Sequence, residues 1–183
     1  VSPFGLGWPN LISIFRILLI PGLVALVVDG SRAASVAAAV VFVVGALTDG
    51  LDGYLARRYD SVTRTGQWLD PLSDKLFVSA PVIALTILDR FPMWAAIVIV
   101  VREIAVSVLR AYLGTRGRAM PASPLGKAKT AAQLIVITLY LLPGQVLDVT
   151  RPLGDIALAA AVVLTVWSGI DYVVKAQRTR VAP

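Results

Sequence analysis

Apolar residues in this chain fall into six separate runs, each bounded by charges, glycines or prolines. A run of about 20 apolar residues is what a helix needs to cross a bilayer. The composition agrees: 57% of the 183 residues are hydrophobic and only 15% are charged, where a soluble domain carries roughly a quarter. The mean hydropathy of +0.80 leaves little for a separate soluble domain. The pattern predicts an all-α integral membrane protein, a bundle of six transmembrane helices forming one domain over residues 1–183. The expected spans are Asn10–Val28, Ala33–Arg58, Pro71–Leu88, Pro92–Leu113, Gly126–Leu142 and Gly154–Lys175. Residues 1–9 are expected to lie along the interface, and residues 176–183 to form a cytoplasmic tail. The opening VSPFGLGWPN has no lysine, arginine or cleavage-like pattern, so no removable signal peptide is expected.

Orientation follows from the basic residues. Only Arg32, Arg90 and Arg151 fall in the first, third and fifth connections, whereas Arg57, Arg58, Arg64, Arg116, Arg118, Lys127, Lys129, Lys175, Arg178 and Arg180 flank the others. The positive-inside rule then puts both termini and the second and fourth connections in the cytoplasm, with a polar pocket facing that side. The net charge of +6 describes a basic rim meeting anionic headgroups or an anionic substrate. No recognition module accompanies these cations, so nucleic acid is not an expected partner. Cysteine and histidine are absent, which excludes disulfides, thiol nucleophiles, histidine bases and Cys/His metal sites.

The chemistry concentrates in DGLDGYLARRYDSVTRTGQWLDPLSD, residues 49–74. Carboxylates inside spanning helices are costly and call for a function or a compensating partner. Asp49 and Asp52 are three residues apart and Asp70 and Asp74 four apart, so each pair shares a helix face within about one 5.4 Å turn. A short connection makes the two helices antiparallel neighbours, and all four carboxylates can converge. Divalent cations would neutralise them; oxygen-only ligation favours Mg²⁺ or Mn²⁺, with Ca²⁺ also open. Gly50, Gly53 and Gly66 each cost a helix about 1 kcal/mol relative to alanine. Gly53 and Ala56 leave a smooth surface where a bulky group can approach the backbone, with Arg57 at its mouth.

These residues fit the pattern D-x2-D-G-x2-A-R-x8-G-x3-D-x3-D at Asp49, Asp52, Gly53, Ala56, Arg57, Gly66, Asp70 and Asp74. The chain thereby resembles the CDP-alcohol phosphotransferases. The segments PNLISIFRILLIP, VREIAVSVLR and GKAKTAAQ are most similar to its bacterial phosphatidylglycerophosphate synthase branch. The stretch AYLGTRG after Arg110 lacks the acidic and tryptophan residues of many such synthases. The resemblance implies a six-span, homodimeric enzyme of the bacterial cytoplasmic membrane. It would take CDP-diacylglycerol and glycerol 3-phosphate and release CMP. It further implies that Asp49, Asp52 and Asp70 bind two metal ions, that Asp74 is a ligand, the general base or both, and that Gly53, Ala56, Arg57 and Gly66 serve the nucleotide pyrophosphate.

A phosphate-bearing acceptor needs cations beyond the metal cage. Glu103, Ser107 and Arg110 share one stripe of the fourth helix, and Lys127, Lys129 and Gln133 follow in the fifth. Arg110, Lys127 and Lys129 are the candidate acceptor-phosphate ligands. Arg102 is expected to face partners in the bundle other than Glu103. Lys75 can pair with Asp74 or reach a phosphate. Asn10 and Ser13 suit a helix cap, with Arg16 near the nucleotide site, and Asp171 and Lys175 suit an i, i+4 pair. Trp8, Trp68 and Trp94 read as interfacial aromatics, Trp68 being a candidate for stacking on cytidine. Two other readings remain: a relative using inositol phosphate, serine or phosphatidylglycerol, and a divalent-cation transporter. Ala33–Leu47 and Leu76–Leu88 offer a transporter no charged path on the outer side.

The charge asymmetry sets a topology test. Single cysteines replacing Ser61 and Ser123 are expected to label from the cytoplasmic side and one replacing Ser31 from outside; Ser31 and Ser61 labelling from the same side would overturn the arrangement.

Overall fold

The computed structural model describes residues 8–58, 66–116 and 123–181, with side chains for 14–48, 73–116, 123–143 and 152–177. These residues form six helices: α1 Trp8–Asp29, α2 Arg32–Arg58, α3 Gly66–Ile87, α4 Met93–Thr115, α5 Pro124–Leu141 and α6 Gly144–Val181. No strand occurs among the described residues. α1 packs against α2 and α3, α5 against α6, α2 and α3, and α4 against α6 and α3.

Local chemistry sets the helix ends. Gly30 turns the chain between α1 and α2 with a φ of 66°, a conformation open to glycine without the Cβ clash. Ser31 then caps α2, its Oγ accepting from the Ala34 amide at 3.2 Å. The Asp29 carboxylate accepts from the Ser31 amide at 3.0 Å, and that bonding holds Asp29 below its ordinary pKa. The Arg90 guanidinium of the α3–α4 turn lies over Gly30, 2.6 Å from where a Cβ would stand. The first and third connections therefore meet at one end, as alternating passes require. At the other end Ser123 caps α5, its Oγ accepting from the Gly126 amide at 3.1 Å.

Two helix starts differ markedly from expectation. α3 begins five residues before Pro71, so Gly66 and Asp70 are helical rather than in a connection. α6 begins at Gly144 rather than Gly154 and continues through Pro152, because the helix break is confined to Leu142 and Pro143. At 1.5 Å per residue, these 38 residues reach well beyond a bilayer core of ~30 Å. Among the described residues, one stretch, Pro152–Gln177, is long and apolar enough to cross a membrane by composition alone, and Arg32–Thr48 is a shorter apolar helix. α4 carries Arg102, Glu103 and Arg110, and α5 carries Lys127 and Lys129; those charges interrupt their apolar runs.

Where the apolar residues lie distinguishes this bundle from a soluble one. Val40, Val44, Leu47, Ile83, Ile97, Val101, Ile104, Val108, Ile135, Ile156, Val163, Trp167 and Ile170 all face outward, an apolar exterior far larger than a soluble monomer tolerates. The centre is closed by Leu23, Ala38, Phe42, Phe77, Val82, Ala95, Ile99, Val136, Ile137 and Ala161. Its small residues let helices approach, the route to tight packing where apolar contact gains little over lipid. α2 and α3 meet through the stacked rings of Phe42 and Phe77, 5.6 Å between centroids. The Phe77 ring fills the space beside Gly45 that a Cβ would need. Gly45→Ala is expected to cost about 1–3 kcal/mol by overpacking, and Gly45→Ala/Phe77→Leu to recover part of it. Thermal unfolding of the purified protein would show this; a Gly45→Ala variant as stable as wild type would contradict the packing.

Candidate active site

The motif falls on two helices. Asp49, Asp52, Gly53, Ala56 and Arg57 occupy the final turns of α2, and Gly66, Asp70 and Asp74 the opening turns of α3. The helical backbone preserves the i, i+3 and i, i+4 spacings, so each acidic pair lies on one helix face. Of these positions only the Asp74 side chain is among those described, and it is half-buried; the other seven side chains lie outside them, as do Trp8, Asn10, Ser13 and Trp68. Among the described residues no three acidic side chains gather into a metal-binding group. The donor set offered by the motif is four carboxylates, which suits a hard divalent cation.

What the described side chains do show is a charged cluster beside Asp74. Glu103, at the middle of α4, accepts from Lys129 of α5 and lies 3.4 Å from the Arg102 guanidinium. Lys129 is 4% exposed, so this pairing occurs inside the bundle. Arg102 Nη2 donates to Ser168 Oγ at 2.8 Å, and its guanidinium carbon lies 5.7 Å from the centroid of the Tyr172 ring. Its Nε is buried with no hydrogen-bond acceptor. Gly169 makes room for this arginine: a Cβ there would stand 3.4 Å from Arg102 Cγ. Glu103 and Asp74 attract half-buried Lys75, while Arg110 and Arg102 repel it. Lys129 is likewise drawn by Asp74 as well as Glu103. Among the described side chains, the end of α3 that carries Asp74 thus borders four cations, Lys75, Arg102, Arg110 and Lys129, and the carboxylate of Glu103.

Two sequence expectations are revised by this geometry. Arg102 does reach Ser168 and Tyr172, but Glu103 is also a partner, because one carboxylate accepts from both basic neighbours. Lys129 is held by Glu103 inside the bundle, where a buried lysine needs such a carboxylate to offset its lost hydration. Arg110 and Lys127 are exposed, and Arg110 has its guanidinium carbon 6.0 Å from the Tyr172 centroid. Gln133 is buried and donates to Thr165 Oγ1 at 3.1 Å. Arg16 is 3% exposed, inside the bundle. Asp171 and Lys175 form the expected pair at 2.7 Å, and Trp94 is exposed near the start of α4.

α6 contributes more than its sequence suggested. Ala161, Thr165, Ser168, Tyr172 and Ala176 are all buried, and their spacing of three or four residues makes them one stripe of the helix. The stripe was present in the sequence, since small and polar residues recur there at the helical period. Its meaning required the partners on α4 and α5.

The sequence model of CDP-alcohol phosphatidyltransferases matches residues 6–167. The chain belongs to the CDP-alcohol phosphatidyltransferase family and is an enzyme of that class. A Bacillus subtilis CDP-diacylglycerol–glycerol-3-phosphate 3-phosphatidyltransferase is 41% identical over 177 residues, covering 90% of this chain and 92% of the relative. A probable phosphatidylglycerophosphate synthase of Mycobacterium tuberculosis is 38% identical, covering 92% of this chain and 81% of the relative. A Sodalis glossinidius phosphatidyltransferase carrying the same name as the Bacillus protein is 34% identical, covering 94% and 96%.

The buried pair yields a stability prediction. Glu103→Gln leaves Lys129 and Arg102 without their carboxylate, and removing one member of a buried pair costs about 3–5 kcal/mol. The double variant Glu103→Gln/Lys129→Met removes one stranded charge and is expected to be markedly more stable than Glu103→Gln alone. Equal unfolding midpoints for the single variant and wild type would refute the pairing.

Proposed function

We propose that the chain transfers the phosphatidyl group of CDP-diacylglycerol to the hydroxyl of glycerol 3-phosphate, giving phosphatidylglycerophosphate and CMP. The observation that carries this reading is that, among the described side chains, the cations Lys75, Arg102, Arg110 and Lys129 gather beside Asp74 and Glu103. An acceptor that is itself a phosphate fits such a layer, whereas serine does not need it. The names of the relatives support the same acceptor. A cation transporter would not need the layer, and membership of a transferase family counts against that reading.

The reaction is an exchange at phosphorus. The acceptor oxygen bonds to the phosphorus that bears diacylglycerol, the bond from that phosphorus to the CMP oxygen breaks, and CMP departs. Asp49, Asp52, Asp70 and Asp74 would hold divalent metal; with no histidine or cysteine in the chain, oxygen ligation makes Mg²⁺ or Mn²⁺ the fitting choice and two ions the expected number. Bound there, metal would polarise the phosphoryl oxygens and stabilise charge on the leaving group. Asp74 takes the hydroxyl proton on its carboxylate. Arg57 donates to the pyrophosphate, over the smooth surface of Gly53, Ala56 and Gly66. Arg110 and Lys127, the exposed cations, meet the acceptor phosphate, and Lys129 stabilises Glu103 behind them.

The setting we infer is a homodimer in the bacterial cytoplasmic membrane, each copy crossing six times with its site toward the cytoplasm. The apolar exterior of the bundle supports this, as does the one-sided distribution of basic residues.

The test offers CDP-diacylglycerol with each acceptor separately. Phosphatidylglycerophosphate is expected only with glycerol 3-phosphate; its absence, with product from another acceptor, would overturn the assignment. Asp49→Asn, Asp52→Asn and Asp70→Asn are expected to abolish CMP release in folded protein, and chelation to do so reversibly. Full turnover in chelator would refute metal dependence.

A further inference from the structure

We propose that Tyr172 of α6 is a positioning residue for the acceptor end of the site, holding Arg110 by its ring and the start of α5 by its hydroxyl. The inference rests on the acceptor reading above and extends it to a helix that carries none of the motif.

Three observations converge on this side chain. Its ring lies within 6.0 Å of two guanidinium carbons, at 5.7 Å for Arg102 and 6.0 Å for Arg110. An arginine over an aromatic face is attracted by the ring quadrupole, and more strongly where water is excluded; Tyr172 is 4% exposed. Its hydroxyl oxygen accepts from the Ser123 amide at 3.2 Å. Ser123 is the cap of α5, so this bond fixes the point from which Lys127 and Lys129 are launched. Gly126, in the first turn of α5, packs against the same side chain: a Cβ there would stand 3.6 Å from the tyrosine hydroxyl.

The geometry divides the labour between the two ends of one side chain. Arg102 is already fixed by Glu103 and Ser168, so it does not need the ring to stay in place. Arg110 is exposed and on the outer turn of the same helix; the ring restricts where its guanidinium can go. A tyrosine is well suited to the place because it offers an apolar face and a polar tip together. Phenylalanine would retain the first function and lose the second; leucine would lose both.

The test is kinetic, on the full chain in mixed lipid–detergent micelles, with each substrate varied in turn. Wild type is assayed first with glycerol 3-phosphate; no phosphatidylglycerophosphate there would sink the functional reading itself, independently of Tyr172. With wild type active, Tyr172→Leu is expected to raise KM for glycerol 3-phosphate about three- to thirtyfold, the range a cation–π contact of this kind corresponds to. KM for CDP-diacylglycerol should stay within about twofold. In the Arg110→Ala background the same change should add no more than the smaller rise that Tyr172→Phe gives, because the ring then has no Arg110 to hold and only the hydroxyl's bond to Ser123 is lost. Tyr172→Phe, which keeps the ring and folds as the conservative variant, should raise acceptor KM by a smaller factor and be non-additive with Lys127→Ala. A flat acceptor KM in both variants, equal rises for both substrates, or additive effects with Arg110→Ala and Lys127→Ala would overturn the proposal.

Discussion

A single carboxylate, Glu103, ties the charged half of this bundle together. It takes Lys129 from α5 and Arg102 from its own helix, and Arg102 in turn reaches Ser168 and Tyr172 on α6. In an apolar interior an unpaired ion is far more costly than a paired one, so three helices are held in register by a need to keep these charges matched. The neighbouring hydrogen bonds, Gln133 to Thr165 and Ser168 to the Thr165 carbonyl, extend that register along α6. Shape alone would leave α4 and α6 free to slide, because apolar contact between helices gains little over contact with lipid tails.

The other half is organised by packing. α1, α2 and α3 close around Leu23, Val27, Phe42, Phe77 and Val82, and the ring of Phe77 lies where Gly45 leaves space. The acidic motif is carried at the ends of α2 and α3, and Asp74 stands where the packed half borders the charged half. That location suits a reaction between a lipid and a polar acceptor.

The cations beside Asp74 divide between buried and exposed ones. Lys129 and Arg102 are committed to Glu103 inside the bundle, whereas Arg110 and Lys127 are exposed. A cation that is satisfied inside the protein shapes the field without leaving its place; one at the surface can exchange water for substrate. The sequence presents all four as basic residues on neighbouring helices and does not say which belongs to which group.

The sequence by itself determined the helical class, the spacing of the aspartates and the family, because helical period and motif spacing are local properties of the chain. The eight motif positions and the Asp171–Lys175 pair depend on residues near one another along the chain. Only the tertiary structure decided that Lys129 pairs with Glu103 across 26 residues and that Tyr172 reaches Ser123 across 49. It also decided that α6 runs on from Gly144 through Pro152. Such choices turn on which helix faces meet and how far each is removed from water, and burial changes the energy of a charge far more than any neighbour along the chain can.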